Sequence, residues 1–352
     1  MKSELVQMDN KPSERIGVFD SIRGFSMFLV VFGHVLMSFN LGGYSSFLGS
    51  VITTFRMPLF FFVSGFFAYR AVDKWTGSLC RRVLEQKVKA QIICTLFFFA
   101  LFAYVMGCNP VGWIDNGFGG YWFTIVLFQM FAVYLVLNVV SRAIKYPIVD
   151  IAMVLIAVIC LYILIYQRPG DDNRLWVVLC GENLTKYFQF FVLGLFARKY
   201  YAKFCALLSR EWFKASMLIG FVVFMCLYYN DTFKQYGMLY QMVHDIIVRY
   251  VGLLMVVSLF FAYKEYFESD NAVSRSLRFV GRRTLDIYMM HYFFLPVLPW
   301  SMEWLSGHTM TAVQIFVCTI VTLTIIAICL LLSQATRTSR TLSVWLWGMR
   351  KK

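Results

Sequence analysis

Residues 19–40 read FDSIRGFSMFLVVFGHVLMSFN. The stretch is long and apolar enough to cross a bilayer as one helix, yet it contains Arg23 and His34. At about 100° per residue, the step from position 23 to position 34 is three turns plus roughly 20°. Both side chains therefore lie on one face, roughly 16 Å apart along the axis. Ionisable groups at membrane depth are costly and face a cavity or a partner. Two on one stripe predict a polar passage lined by this helix. Two plainer readings stand beside it. Arg23, near the helix start, is placed to snorkel to the headgroups, and a neutral His34 is able to hydrogen-bond a neighbouring helix.

Composition sets the class. Of 352 residues, 60% are hydrophobic and only 15% charged, against about 25% charged in a soluble domain. An all-α, polytopic membrane bundle follows. The nine cysteines form no CxxC pair and no Cys/His cluster, so no metal site is expected. Most act as small hydrophobes. Cys108 and Cys180 both fall in segments read as outer loops, which leaves a bridge between them open. The polar start, MKSELVQMDNKPSERIG, has no cleavable-signal pattern, so the first span is read as its own signal.

Hydropathy and turn chemistry divide the chain into about ten spans: 19–40, 48–69, 90–107, 121–140, 147–166, 185–198, 214–229, 239–262, 284–300 and 310–333. Each is near the ~20 residues a bilayer needs. The ninth is interrupted by Pro296 and Pro299. The organisation expected is a tail (1–18), a membrane domain (19–333) and a basic tail (334–352), with no internal repeat. With the N-terminus inside, the inner segments hold nearly all the Lys and Arg, while the outer loops hold Arg168, Arg174 and Lys234. That asymmetry is what the positive-inside rule expects. It accounts for the net charge of +14 without nucleic acid, and it puts both termini in the cytoplasm.

Once the loops are set aside, the polar set within the spans is Arg23, His34, Arg56, His244, Asp245, Arg249, Asp286 and His291, with Lys186 at a boundary. Asp245 and Arg249, spaced i,i+4, are able to pair with each other. Thr284, Tyr288 and His291 form one helical stripe by spacing. Arg56 and His34 belong to adjacent spans and both lie toward the outer side, so a shared polar pocket is geometrically reasonable. His308 falls in a short outer loop.

The motifs FDSIRG…His34 (19–34), FRMPLFFFVSGF (55–66), Tyr121-Trp122-Phe123, FQFFVLGLFARK (188–199) and FVGRRTLDIYMMH (279–291) together resemble the acyltransferase-3 family of membrane O-acyltransferases. Within that family they are similar to bacterial enzymes that acetylate cell-surface glycans. Each motif is weak alone, but their order and spacing cover nearly the whole chain. Two departures are visible. VKAQIIC has Gln91 and no proline where the family often starts a span with one, and Thr284 replaces the usual serine.

The resemblance implies a donor, acyl-CoA and usually acetyl-CoA, used as a co-substrate with no permanently bound cofactor. It also implies an acceptor hydroxyl on a glycan or lipid-linked sugar, and an inner-membrane location. Arg23, Arg81, Arg82, Lys87 and Lys89 are candidates for the donor's phosphates, and Tyr288 and His291 for further donor contact. The loop cations also suit plain topology setting. His34 serves either as general base or as transient acyl carrier. Arg56 serves as oxyanion stabiliser or acceptor ligand, and Arg23 is counted with these two among the catalytic candidates. Trp122, Asp245 and Arg249 are the remaining acceptor-binding candidates. The competing class is a secondary transporter with a His34/Asp245/Arg249 relay. A scaffold is a third reading, and it leaves the Arg23–His34 alignment unexplained.

Overall fold

The computed structural model describes residues 16–39, 41, 47–71, 75–107, 109, 112, 114, 117–170, 172–229, 237–296, 305, 311–339 and 343. Cys108, Lys234, Pro299 and His308, and the N-terminal tail up to residue 15, lie outside the described residues. All the regular structure described is helical.

In chain order the long elements are α1 (Gly17–Ser38), α2 (Phe47–Ala68), α3 (Gly77–Lys87), α4 (Cys94–Met106), α5 (Trp122–Ile144) and α6 (Val149–Tyr166). After the short α7 (Arg174–Val178) come α8 (Gly181–Lys199), α9 (Tyr201–Leu208), α10 (Glu211–Tyr229) and α11 (Met238–Ala262). The chain continues through α12 (Lys264–Glu268), α13 (Ala272–Arg282), α14 (Thr284–Met290) and α15 (Thr311–Thr338). Among the described residues, seven helices are long and apolar enough to cross a membrane: α1, α2, the joined α3–α4, α5, α6, α11 and α15. The chain is therefore a multi-pass membrane protein. The spans read at 185–198 and 214–229 appear as α8 and α10, 19 residues each. The ninth appears as the seven-residue α14 followed by a 3-10 turn, His291–Phe294. Charges at both ends of α8 (Glu182, Lys186, Arg198, Lys199) set it apart from the seven, and α14 is too short to join them.

Lipid-facing and inward faces separate as a bilayer requires. Phe97, Leu101, Leu155, Ile159, Phe316 and Leu323 stay exposed on α4, α6 and α15, while Phe19, Phe61, Phe62, Phe190 and Phe191 are fully buried on α1, α2 and α8. Between helices in lipid there is no hydrophobic drive, so close backbone approach supplies the packing. A Cβ on Gly24 would stand 2.0 Å from the Leu277 carbonyl oxygen, and one on Gly281 would stand 2.0 Å from that of Asp20. These two glycines let the amphipathic α13 lie directly on α1. The same device joins α2 to α8, where Gly65 faces Phe191 O and Gly194 faces Phe62 O, each at 2.0 Å from the would-be Cβ.

The segment after span two is not a loop. Residues 77–106 form one continuous helix, with a π-turn at Val88–Ile93. Thr76 caps its start by accepting from the Leu79 N–H. No proline is needed. The Thr95 hydroxyl approaches the Gln91 carbonyl (2.6 Å) and the Thr124 hydroxyl (2.7 Å), which pins the wider turn against α5. Single π-turns of this kind frequently sit at functional sites.

Candidate active site

His34 sits on α1, half-buried, one residue after Gly33. A Cβ on Gly33 would stand 2.1 Å from Nη1 of Arg56. Glycine at 33 therefore lets the guanidinium of α2 lie against the α1 backbone beside His34. Arg56 is buried. Two residues on, Pro58 lies inside α2 and lacks the N–H that would bond the Thr54 carbonyl. Arg56 and His34, on adjacent spans, are within electrostatic reach of each other.

The third wall comes from α14. The α-helix ends at Met290, and the chain tightens into the 3-10 turn at His291. The His291 Nδ1 lies 3.1 Å from the Ile287 carbonyl and 2.9 Å from the Tyr288 carbonyl. Carbonyls only accept, so Nδ1 carries the proton and Nε2 is an acceptor. That Nε2 is buried and has no partner among the described residues. The His291 ring centroid is 5.3 Å from that of His34.

Tyr292, next in the turn, places its hydroxyl 3.2 Å from His34 Nε2 and 3.1 Å from the Gly120 carbonyl. The Tyr288 hydroxyl donates to the same carbonyl and accepts from the Phe123 N–H at 3.2 Å. The Tyr121 hydroxyl donates to the Met289 carbonyl at 3.1 Å. These bonds stitch the start of α5 to α14. Gly120 is required for the approach, because a Cβ there would stand 2.1 Å from the Tyr292 oxygen.

The other sequence candidates fall into distinct surroundings. Arg23 is half-buried on α1 and, with Arg70, is within electrostatic reach of Lys87. Lys87 lies over the Phe131 ring, 5.0 Å from its centroid. Lys89 is half-buried in the π-turn, while Arg81 and Arg82 are exposed. Arg81 pairs with Glu85 at 2.8 Å. Trp122 stacks on Tyr187 (centroids 5.8 Å apart, planes at 13°) and on Phe61. Asp245 and Arg249 form a two-bond fork, both at 2.8 Å, and Arg249 Nη1 also donates to the Thr53 carbonyl at 3.2 Å. Lys186 adds a contact to Asp245 at 3.7 Å. This cluster ties α11 to α2 and α8 near Arg56. Asp286 is held by Arg337 through bonds of 2.7–2.9 Å and accepts from Ser333. Arg283 donates to the same Ser333 hydroxyl at 3.2 Å. Cys180 is a buried free thiol.

The structure thus brings His34, Arg56, Tyr288 and His291 into one site. Gly33, Gly120 and Tyr292 complete it, and sequence reading missed all three. Tyr292 was adjacent to a marked histidine and stands four residues after Tyr288, so the spacing that marked the stripe could have found it. The acyltransferase domain family model matches residues 16–331, so the chain belongs to the acyltransferase-3 family. No curated protein and no solved structure matches it.

Proposed function

We propose that the protein is an O-acetyltransferase of the cytoplasmic membrane, moving acetyl from cytoplasmic acetyl-CoA to a hydroxyl of a surface glycan or lipid-linked sugar. In this reading about ten spans cross the bilayer and both termini are cytoplasmic. The observation that carries it is the surroundings of His34. A half-buried imidazole among helices, whose hydrogen bond among the described residues is to Tyr292, lies beside a buried arginine.

The chemistry that fits is base-assisted acyl transfer. The imidazole takes the proton of the acceptor hydroxyl, and the oxygen bonds to the thioester carbonyl carbon. Arg56 stabilises the negative oxygen of the tetrahedral intermediate. The C–S bond then breaks, and the thiolate takes back the proton. Arg23, Lys87 and Lys89 suit the donor's phosphates, with Arg81 and Arg82 at the exposed edge. Tyr288 and His291 line the donor path. Trp122 lies on the acceptor side, while the Asp245–Arg249 fork fixes α11 against α2. The transporter relay through His34, Asp245 and Arg249 draws less support, since Asp245 is held in a fork by Arg249.

The test is acetyl-labelled acetyl-CoA given to the purified protein in liposomes with a panel of lipid-linked and free glycans. Label on glycan with wild type and not with His34→Ala is the outcome expected. Equal transfer by both removes His34 from the reaction.

A further inference from the structure

We infer that Tyr292 is a positioning residue that fixes which nitrogen of His34 is basic. This rests on the reading of His34 as the base and goes beyond it. The phenol carries one proton and has two neighbours in line, the Gly120 carbonyl at 3.1 Å and His34 Nε2 at 3.2 Å. A carbonyl oxygen only accepts. If the phenol donated to Nε2, its oxygen would face the Gly120 oxygen with no proton between them. Both contacts become hydrogen bonds in one arrangement: the phenol donates to Gly120, and His34 Nε2–H donates to the phenol oxygen. His34 Nδ1 is then the unprotonated nitrogen. It makes no hydrogen bond among the described residues, so its lone pair is available to a hydroxyl.

The same turn sets the neighbouring imidazole the opposite way. His291 holds its proton on Nδ1 and presents Nε2 as acceptor. Two histidines within 5.3 Å of each other, centroid to centroid, are thus locked in different tautomers by different partners. The local backbone makes the difference. His291 reaches its own helix's carbonyls, while His34 reaches a phenol brought in by the 3-10 turn. In the step this supports, the acceptor hydroxyl gives its proton to Nδ1, the new C–O bond forms, the C–S bond breaks and the thiolate recovers that proton. Throughout, Nε2–H stays on the Tyr292 oxygen, which keeps the ring from rotating and stabilises the transient imidazolium.

The experiment is nitrogen NMR of the full-length protein in nanodiscs with nitrogen-15 imidazoles. The chain has four histidines, so assignment by single substitution is practicable. Expected for wild type is a His34 signal pair with Nε2 protonated and Nδ1 bare, and for His291 the reverse. In Tyr292→Phe the His34 pair should move toward a mixture of tautomers while His291 keeps its own. A wild-type His34 with Nδ1 protonated, or a pattern unchanged in Tyr292→Phe, overturns the inference, and neither result depends on knowing the acceptor.

Kinetics with labelled acetyl-CoA adds an independent reading. Tyr292→Phe should lower kcat about 10- to 100-fold, the range seen when the partner that orients a functional imidazole is removed, with KM for acetyl-CoA nearly unchanged. Gly120→Ala should reproduce this by pushing the phenol away. If His34→Ala is inactive while Tyr292→Phe matches wild type in kcat and pH profile, the positioning role fails and the base survives. An active His34→Ala fails the base itself. Should Tyr292→Phe prove unstable, Gly120→Ala carries the tautomer test.

Discussion

Two buried polar regions of this bundle differ in what their charges are left to do. Around Asp286, the polar groups are bonded to one another. Arg337 grips both carboxylate oxygens, Ser333 donates to one of them, and Arg283 holds Ser333. Around His34, imidazole hydrogen-bonding capacity is left over among the described residues: one ring bonds through Nε2 alone and a second has an unpartnered Nε2, while the Arg56 guanidinium lies against the Gly33 backbone. The first arrangement joins α14 to α15. In the proposed reaction, the second is the arrangement that meets the substrates. The Asp245–Arg249 fork belongs with the first kind, since it bonds α11 to the Thr53 carbonyl of α2. Charge inside a membrane bundle is therefore not by itself a mark of chemistry. How far its hydrogen-bonding capacity is already used is the better guide.

Substitutions that separate activity from stability put this contrast at risk. The largest effect is expected at His34→Ala, which should cut acetyl transfer by roughly 10²- to 10⁴-fold, the usual contribution of a general base. The melting temperature in detergent should be unchanged. A large loss of stability would place His34 in the structural class instead. Next comes Asp286→Ala, which leaves Arg337 without its carboxylate. Removing one partner of a buried pair costs about 3–5 kcal/mol, read as a steep fall in melting temperature. Asp286→Leu combined with Arg337→Met should recover most of it, and no recovery would argue for a role beyond joining two helices. Asp245→Asn should be milder, about 1–3 kcal/mol, because that carboxylate is one-quarter exposed (26%). Transfer by the folded fraction should be retained, and its selective loss with stability intact would move Asp245 to the acceptor site. Smallest of all is Arg81→Ala. Its exposed pair with Glu85 is the kind that contributes little to stability, so thermal melting should not shift. A raised KM for acetyl-CoA would enlist it in donor binding.

Much of this was legible in the chain. Span boundaries read from hydropathy fall within a few residues of α1, α2, α5, α6, α10, α11 and the start of α15, because helix ends in a bilayer follow the apolar runs. Gln91 and the basic residues before it misled, since continuous helix with a π-turn replaced the expected loop. The π-turn is held by a Thr95–Thr124 contact between two helices, which local composition does not encode. Arg337, assigned by sequence to the tail beginning at 334, stands in the last turn of α15 as the partner of Asp286, fifty-one positions away.

By itself, the sequence determined that this is an all-helical membrane protein of the acyltransferase-3 family, with Arg23 and His34 on one helix face. Those properties follow from apolar run length, helical period and ordered motifs, all local along the chain. Only the tertiary structure decided which polar groups are satisfied and which remain available. Hydrogen-bond capacity is used up by neighbours in space. The ones that matter here, Tyr292 and Gly120 for His34 and Arg337 for Asp286, reach their partners through a broken helix, a missing Cβ and a long helix's last turn.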